Sequence, residues 1–279
     1  MTTNPATTVP SIDLNDGRKI PQLGFGVFQV PADATADAVA HALRSGYRAI
    51  DTAEMYGNEA EVADGIARSG LARGDVFVTT KVWNDHQGRD RARRALEWSL
   101  EQLRTDHVDL YLIHWPSPAQ GLYVETWHAF TEFLADGRAR SIGVSNFGVE
   151  HLERIIDATG VVPAVNQVEL HPRLQQPDLR AFHSRNGIAT EAWSPLGRGR
   201  LLDDPVVSEI ASATGRTPAQ VLLRWSVQLG NVVIPRSTKP ARIEENFDIF
   251  DFTLSGDQMA RIGQLDAGAR IGPDPARFG

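Results

Sequence analysis

Val76-Phe77-Val78-Thr79-Thr80-Lys81, then Asp90–Leu103, then Val108-Asp109-Leu110-Tyr111-Leu112-Ile113-His114 is the stretch that decides the fold. Its outer runs are short and rich in β-branched and apolar residues, as strands are. Between them Ala92, Ala95, Leu96 and Leu100 recur at spacings of three and four, the period of a helix with one buried stripe. Strand, helix and strand in that order make one βα unit leading into the next.

The alternation continues in both directions. Strands are predicted at Leu23–Phe28, Tyr47–Asp51, Val76–Lys81, Val108–His114, Ser141–Ser145, Ala164–Val168, Ile188–Trp193 and Val232–Ile234, with helical segments such as Val149–Ala158 between them. Eight such units without a break in composition predict an α/β fold, a closed (β/α)8 TIM barrel, with a doubly wound open sheet as the alternative. Val9–Ile20 reads as a β-hairpin, because Ser11-Ile12-Asp13-Leu14 alternates and Asn15-Asp16-Gly17 signals a turn. That hairpin is expected to plug the N-terminal end of the barrel. Ser255–Gly279 is expected to form a short C-terminal tail with one helix-like stretch, Asp257–Leu265, and a Gly/Pro-rich end. No repeat beyond the βα period and no low-complexity linker is found, so residues 1–279 are expected to be one domain.

Bulk properties narrow the function classes. The chain has 279 residues, 42% hydrophobic and 23% charged, a globular balance able to bury a large core. A formal charge of −7 offers no broad basic field for nucleic acid. The absence of cysteine removes disulfides, thiolate catalysis and cysteine-ligated metals, and suits a reducing compartment. Met1–Val9 lacks the basic and apolar segments of a signal peptide, and no apolar run reaches membrane-spanning length. A cytoplasmic protein that binds neither nucleic acid nor membrane is expected. The eight histidines include no His-x-His or His-x-x-x-His pair, which argues against a metal-dependent hydrolase, and no metal is expected. Gly24-Phe25-Gly26 lacks the third glycine and following helix of a dinucleotide fingerprint.

Reactive residues cluster where a barrel enzyme needs them, at the C-terminal ends of strands. Asp51 ends the second predicted strand, Lys81 the third and His114 the fourth. Ser145-Asn146 end the fifth, Gln167 closes the sixth, and Trp193-Ser194 end the seventh. Tyr56 lies in the loop after Asp51. Taken singly, each has a packing reading: Asp51 as a helix cap, Lys81 as a snorkelling strand-end lysine, His114 as a satisfied core histidine, Tyr56 as a loop aromatic. Together they fit one task. A tyrosine hydroxyl, normally near pKa 10, becomes a usable proton donor beside an ammonium, which Asp51 would keep charged and in place. His114 would orient a carbonyl. This is half of a carbonyl reduction, and the other half is a hydride from a cofactor.

The sequence resembles the aldo-keto reductases over essentially its whole length, and most closely the bacterial 2,5-diketo-gluconate reductase-like branch. The matching segments are Gln22–Phe28, Gly46–Glu59, Thr80-Lys81-Val82-Trp83-Asn84, Asp109–Pro116, Ser141–Phe147, Asn166–Pro172 and Val233–Ser237. The resemblance implies that Asp51, Tyr56, Lys81 and His114 form the catalytic tetrad, with Tyr56 as proton donor. It implies NADPH/NADP+ as cofactor, with Ser145, Asn146 and Gln167 on the nicotinamide carboxamide and Trp193 stacked on the ring. Many relatives carry tyrosine at that position, and tryptophan keeps the stacking surface. Ser194 and Leu196 are further cofactor positions implied by the likeness. Arg236-Ser237-Thr238-Lys239-Pro240-Ala241-Arg242 matches the adenosine-phosphate site, and Glu245 and Asn246 match adenine contacts. Three cations in seven residues of an acidic chain suit a 2′-phosphate, hence NADP rather than NAD. Many relatives have lysine where this chain has Arg236.

Phe25, Trp83 and Trp115 lie at or just past strand ends and are expected to wall the substrate pocket, with Phe28 and Phe147 as additional candidates. Since the chain beyond Asn246 is short, an open, adaptable pocket is expected. The sequence therefore predicts an NADPH-dependent reductase of small aldehydes, α-dicarbonyls or keto sugars, working as a monomer on small-molecule carbonyls. The alternative is a cofactor-sensing subunit of slow turnover.

Overall fold

The structure, a computed structural model, describes residues 9–279. The leaderless reading of Met1–Val9 therefore lies outside the described residues except at Val9. Chain order begins with β1 (Ser11–Asp13), β2 (Lys19–Pro21), β3 (Phe25–Gly26), α1 (Ala32–Arg44), β4 (Ala49–Asp51) and α2 (Glu59–Ser69). It continues through β5 (Phe77–Val82), α3 (Arg89–Leu103), β6 (Val108–Ile113), α4 (Tyr123–Ala135), β7 (Ala139–Ser145) and α5 (Val149–Thr159). β8 (Val165–Glu169), α6 (Pro177–Asn186), β9 (Ala189–Trp193), α7 (Pro205–Thr214) and α8 (Pro218–Gln228) follow. The last elements are β10 (Val232–Val233), α9 (Pro240–Phe247) and α10 (Gly256–Gly263).

Strands β3 to β10 run parallel in sequence order. Leu23 pairs in parallel with Val233, and the Val233 amide donates to the Gln22 carbonyl at 3.0 Å. The Gly24 amide donates to the Val233 carbonyl at 2.9 Å. These bonds join the first strand to the last, so the sheet curls into the predicted (β/α)8 barrel. The seventh connection carries two helices, α7 and α8, rather than one.

Register decides which side chains look inward. Thr79 is paired with Leu110 and Lys81 with Leu112, so these residues share one face of the sheet. Leu110 and Leu112 pack with Val165 and Val232 inside the barrel. The intervening Tyr111 faces outward and stacks on Phe130 of α4 at a centroid distance of 4.6 Å. Burying each of these leucine and valine side chains is worth about 1.5–3 kcal/mol. Hairpin β1–β2 closes the bottom: Leu14 and Ile20 join the inner cluster, and the Asn15 amide donates to the Pro163 carbonyl at 3.0 Å. The expected plug is present.

Helix α3 shows why the periodicity was legible. Ala92, Ala95, Leu96, Ser99, Leu100 and Leu103 form its buried stripe, and Arg104 ends it in a left-handed conformation. Helices α1 and α2 pack so closely that a Cβ at Gly65 would stand 2.6 Å from Val39 Cβ and 2.8 Å from the Ala36 carbonyl oxygen. Only glycine fits there. Most predicted strands match within one or two residues. The largest difference is Leu23–Phe28, where only Phe25–Gly26 form a ladder, since left-handed Gln29 turns the chain out of the sheet. The tail helix runs Gly256–Gly263, capped by Ser255, and ends two residues before the predicted Leu265.

Candidate active site

The inward face of the upper barrel is polar. Asp51 is the last residue of β4, Lys81 is the penultimate residue of β5, and His114 follows β6 directly. The Lys81 ammonium, fully buried, donates to Asp51 Oδ1 at 2.7 Å and to the Thr52 carbonyl at 2.8 Å. It lies 5.1 Å from the centroid of the Tyr56 ring. Tyr56 sits on a 3-10 turn, Glu54–Tyr56, ended by left-handed Gly57. Its ring meets His114 edge-on at 5.7 Å. The four residues named as a tetrad are thus brought together.

Their electrostatics differ. Burial pushes the Tyr56 hydroxyl up to about 12, while the Lys81 charge pulls in the opposite direction. Desolvation also acts on Lys81, but Asp51 and then Tyr56 outweigh it and hold the ammonium charged. His114 is held well below the ordinary imidazole range by burial first and by Lys81 second, so it is neutral. Its Nδ1 is buried without a partner among the described residues.

A second polar layer adjoins this one. Ser145 Oγ donates to the Gln167 carbonyl at 2.9 Å, and Asn146 Nδ2 donates to Ser145 Oγ and the His114 carbonyl, each at 3.0 Å. Asn146 adopts a left-handed φ of 64° and accepts from Trp193 Nε1 at 2.8 Å. Gln167 Nε2 donates to Asp51 Oδ2 at 2.8 Å and to Glu191 Oε2 at 2.9 Å. Gln167 does not close its strand, because β8 continues to Glu169, whose carboxylate is buried and fully bonded.

Ser194, left-handed at φ 51°, and Leu196 lead out of β9. On the far side, Ser237 caps the turn into α9 by accepting from the Lys239 amide at 3.0 Å. Arg236, Lys239 and Arg242 are exposed, and none of them is in an ion pair among the described residues. Thr238 lines a groove of about 450 Å³ with Pro240, Ile243, His41 and Arg44. Asn246 is buried, and Glu245 accepts from Thr217 Oγ1 at 2.7 Å.

The aromatic wall differs from expectation in its members. Trp83 meets His114 edge-on at 5.0 Å, Phe28 packs on Tyr56 at 4.9 Å, and Trp115 packs on Phe278 at 4.6 Å. Phe25 is not in this cluster: 1% exposed, it packs edge-on against Tyr47 as a core residue. Phe147 is likewise core, between Tyr123 and His151.

Phe278 was missed because it comes from the tail, which crosses the mouth instead of leaving it open. Glu169 holds the tail in place. Its two carboxylate oxygens accept from the Ile271 amide at 2.6 Å and the Gly272 amide at 2.8 Å, and His171 Nε2 adds a third bond at 3.0 Å. Gly272 then presses on Trp193, where a Cβ would stand 2.5 Å from the indole Cη2.

A model of the Aldo/keto reductase family matches residues 22–267. The chain belongs to that family. As an aldo/keto reductase it is an oxidoreductase, and its relatives cover nearly all of it. An aldo-keto reductase of Mycolicibacterium smegmatis is 56% identical over 96% of this chain and 98% of its own. The crystal structure of an aldo/keto reductase from Brucella melitensis superposes with a TM-score of 0.90 at 54% identity, covering 93% of this chain and 100% of that one. A mutant of Gox0644 in complex with NADPH superposes with a TM-score of 0.94 at 50% identity, covering 98% and 99%. Among the described residues no helix of this aldo/keto reductase is long and apolar enough to cross a membrane.

Proposed function

We propose that this aldo/keto reductase uses NADPH to reduce small aldehydes, α-dicarbonyls or keto sugars to alcohols, with Tyr56 as the proton donor. The observation that carries the reading is the sealed Lys81 ammonium, paired with Asp51 and facing the Tyr56 ring.

The residues present fit the cofactor. Gln167 Oε1 has no described partner and Asn146 Oδ1 accepts one bond, so both are acceptors available to a carboxamide. The Trp193 ring is a stacking surface beside them. Arg236, Lys239 and Arg242, in no ion pair among the described residues, gather three cations at the start of α9, which suits a 2′-phosphate. Bound NADPH supplies a hydride to the carbonyl carbon. Tyr56 releases its proton to the carbonyl oxygen as negative charge grows there, and Lys81 favours that release. Asp51 keeps Lys81 charged and oriented. Neutral His114 orients the carbonyl by hydrogen bonding. Trp83, Trp115 and Phe278 exclude water and select size.

Loss of NADPH absorbance with a panel of methylglyoxal, phenylglyoxal, a keto sugar acid and an aromatic aldehyde tests the reading, with NADH as control. NADPH-dependent turnover supports it, and cofactor binding without turnover of any member contradicts it. We further propose that the chain acts as a single barrel domain, monomeric and cytoplasmic, which light scattering and cell fractionation test.

A further inference from the structure

Two carboxyl groups and one ammonium are sealed together inside the barrel. Glu191, in β9, is 2% exposed, Asp51 is 3% and Lys81 is 0%. Register places Glu191 directly beside Gln167, and the Gln167 amide nitrogen gives one hydrogen to each carboxyl group. Asp51 also accepts from Lys81, so donors hold both of its oxygens, as an ionised carboxylate requires. Glu191 receives one hydrogen bond from a neutral amide and lies in no ion pair among the described residues. Were both carboxyls ionised, the network would carry an unbalanced buried negative charge, which a low-dielectric interior disfavours strongly. A proton on one carboxyl removes that charge, and the donor pattern assigns it to Glu191.

We propose that Glu191 is a positioning residue for the reduction: as a neutral carboxylic acid it anchors Gln167 and leaves Asp51 as the carboxylate paired with Lys81. The ammonium's field then remains directed at Tyr56. This rests on Tyr56 being the proton donor. The charged and titratable groups facing Glu191 are Asp51 from β4, Lys81 from β5 and Tyr56 from the turn after β4. Burial first, and the Asp51 charge second, hold the Glu191 carboxyl well above the ordinary carboxylate range, against the Gln167 hydrogen bond and Lys81. Loss of the Glu191 proton at alkaline pH adds a second negative charge beside Lys81. Tyr56 then holds its own proton more tightly, because Glu191 raises its affinity. Reduction therefore slows as pH rises through the Glu191 titration.

The test is infrared difference spectroscopy of the protein without cofactor, comparing wild type with Glu191→Gln. A protonated-carboxyl carbonyl band should be present in the wild type at neutral pH, absent from the variant, and lost from the wild type as pH rises. In turnover, the alkaline limb of the pH profile should move to higher pH in Glu191→Gln, a displacement that general destabilisation does not produce. If Glu191→Gln does not fold, Glu191→Asp keeps the acid and should displace the band instead. Absence of any Glu191 band at neutral pH overturns the proposal, and so does an unmoved alkaline limb. The band is read without substrate, so it decides the protonation state even for a protein that reduces nothing. Tyr56-dependent turnover without the band overturns this proposal and leaves the reductase reading standing.

Discussion

Lys81 Nζ stands over the face of the Tyr56 ring, 5.1 Å from its centroid. Burial makes the tyrosine a weaker acid than it is in water, so the donor role proposed for it depends on the charge beside it. Lys81→Met should therefore lower turnover by about 10²–10⁴, the range of general acid catalysis. It should also destabilise the fold by about 3–5 kcal/mol, because Asp51 is left buried without its cation. In Lys81→Met with Asp51→Asn the stability loss should be smaller than the sum of the two single losses. Denaturant titration and steady-state rates on the four proteins measure both effects.

Cofactor choice is expected to follow Arg236, Lys239 and Arg242. Arg242→Ala should weaken NADPH binding by about 1.5–3 kcal/mol, the worth of a hydrogen bond to a charged group, and leave NADH binding nearly unchanged. Fluorescence titration at two salt concentrations checks this, since an exposed cation–phosphate contact weakens with ionic strength. Equal losses for both cofactors would show that the segment does not read the phosphate.

The tail is expected to set substrate size. Phe278→Ala removes the ring that packs on Trp115 and should raise kcat/KM for bulky carbonyls relative to small ones. Gly272→Ala should act similarly from a distance, since its Cβ would meet both Trp193 and Glu169 Oε2. Ratios of kcat/KM across two aldehydes of different width measure the change. An unchanged ratio in both variants would remove the tail from the pocket.

Acid stability should depend on His183. Asn166 Nδ2 donates to its Nε2 and its Nδ1 donates to Thr190 Oγ1, both at 2.9 Å, so the buried ring is satisfied as the neutral tautomer. Burial, with Arg180 adding to it, lowers its pKa from 6.5 to about 4. Below 6.5 the unfolded chain takes up a proton that the folded chain refuses. Stability is thus complete above about 6.5 and lost as pH falls through about 4, by about 3 kcal/mol from this group. Denaturant midpoints across that range, compared with His183→Gln, isolate the contribution.

The convergence of Asp51, Tyr56, Lys81 and His114 was readable in the sequence because each sits at or just beyond the end of a strand whose hydrophobic run is clear. The eight strands were readable for the same reason. Glu191 was not, since Ala189-Thr190-Glu191-Ala192-Trp193 looks like an ordinary strand. Its meaning depends on β8 lying beside β9 and on Gln167 reaching across to Asp51. The course of the tail is not legible because a Gly/Pro-rich end carries no periodicity. Its course is fixed by Glu169, 102 residues before Ile271. Phe25 and Phe147 show the converse limit: position near a strand end does not say which face a ring takes.

Single-turnover NADPH oxidation by Tyr56→Phe, with the best substrate of the wild type and with cofactor binding measured separately, tests Tyr56 as the proton donor. NADPH affinity should be unchanged and the hydride-transfer rate reduced by about 10²–10⁴. A rate within a few-fold of the wild type would contradict that role, and the proton donor would then have to be another group.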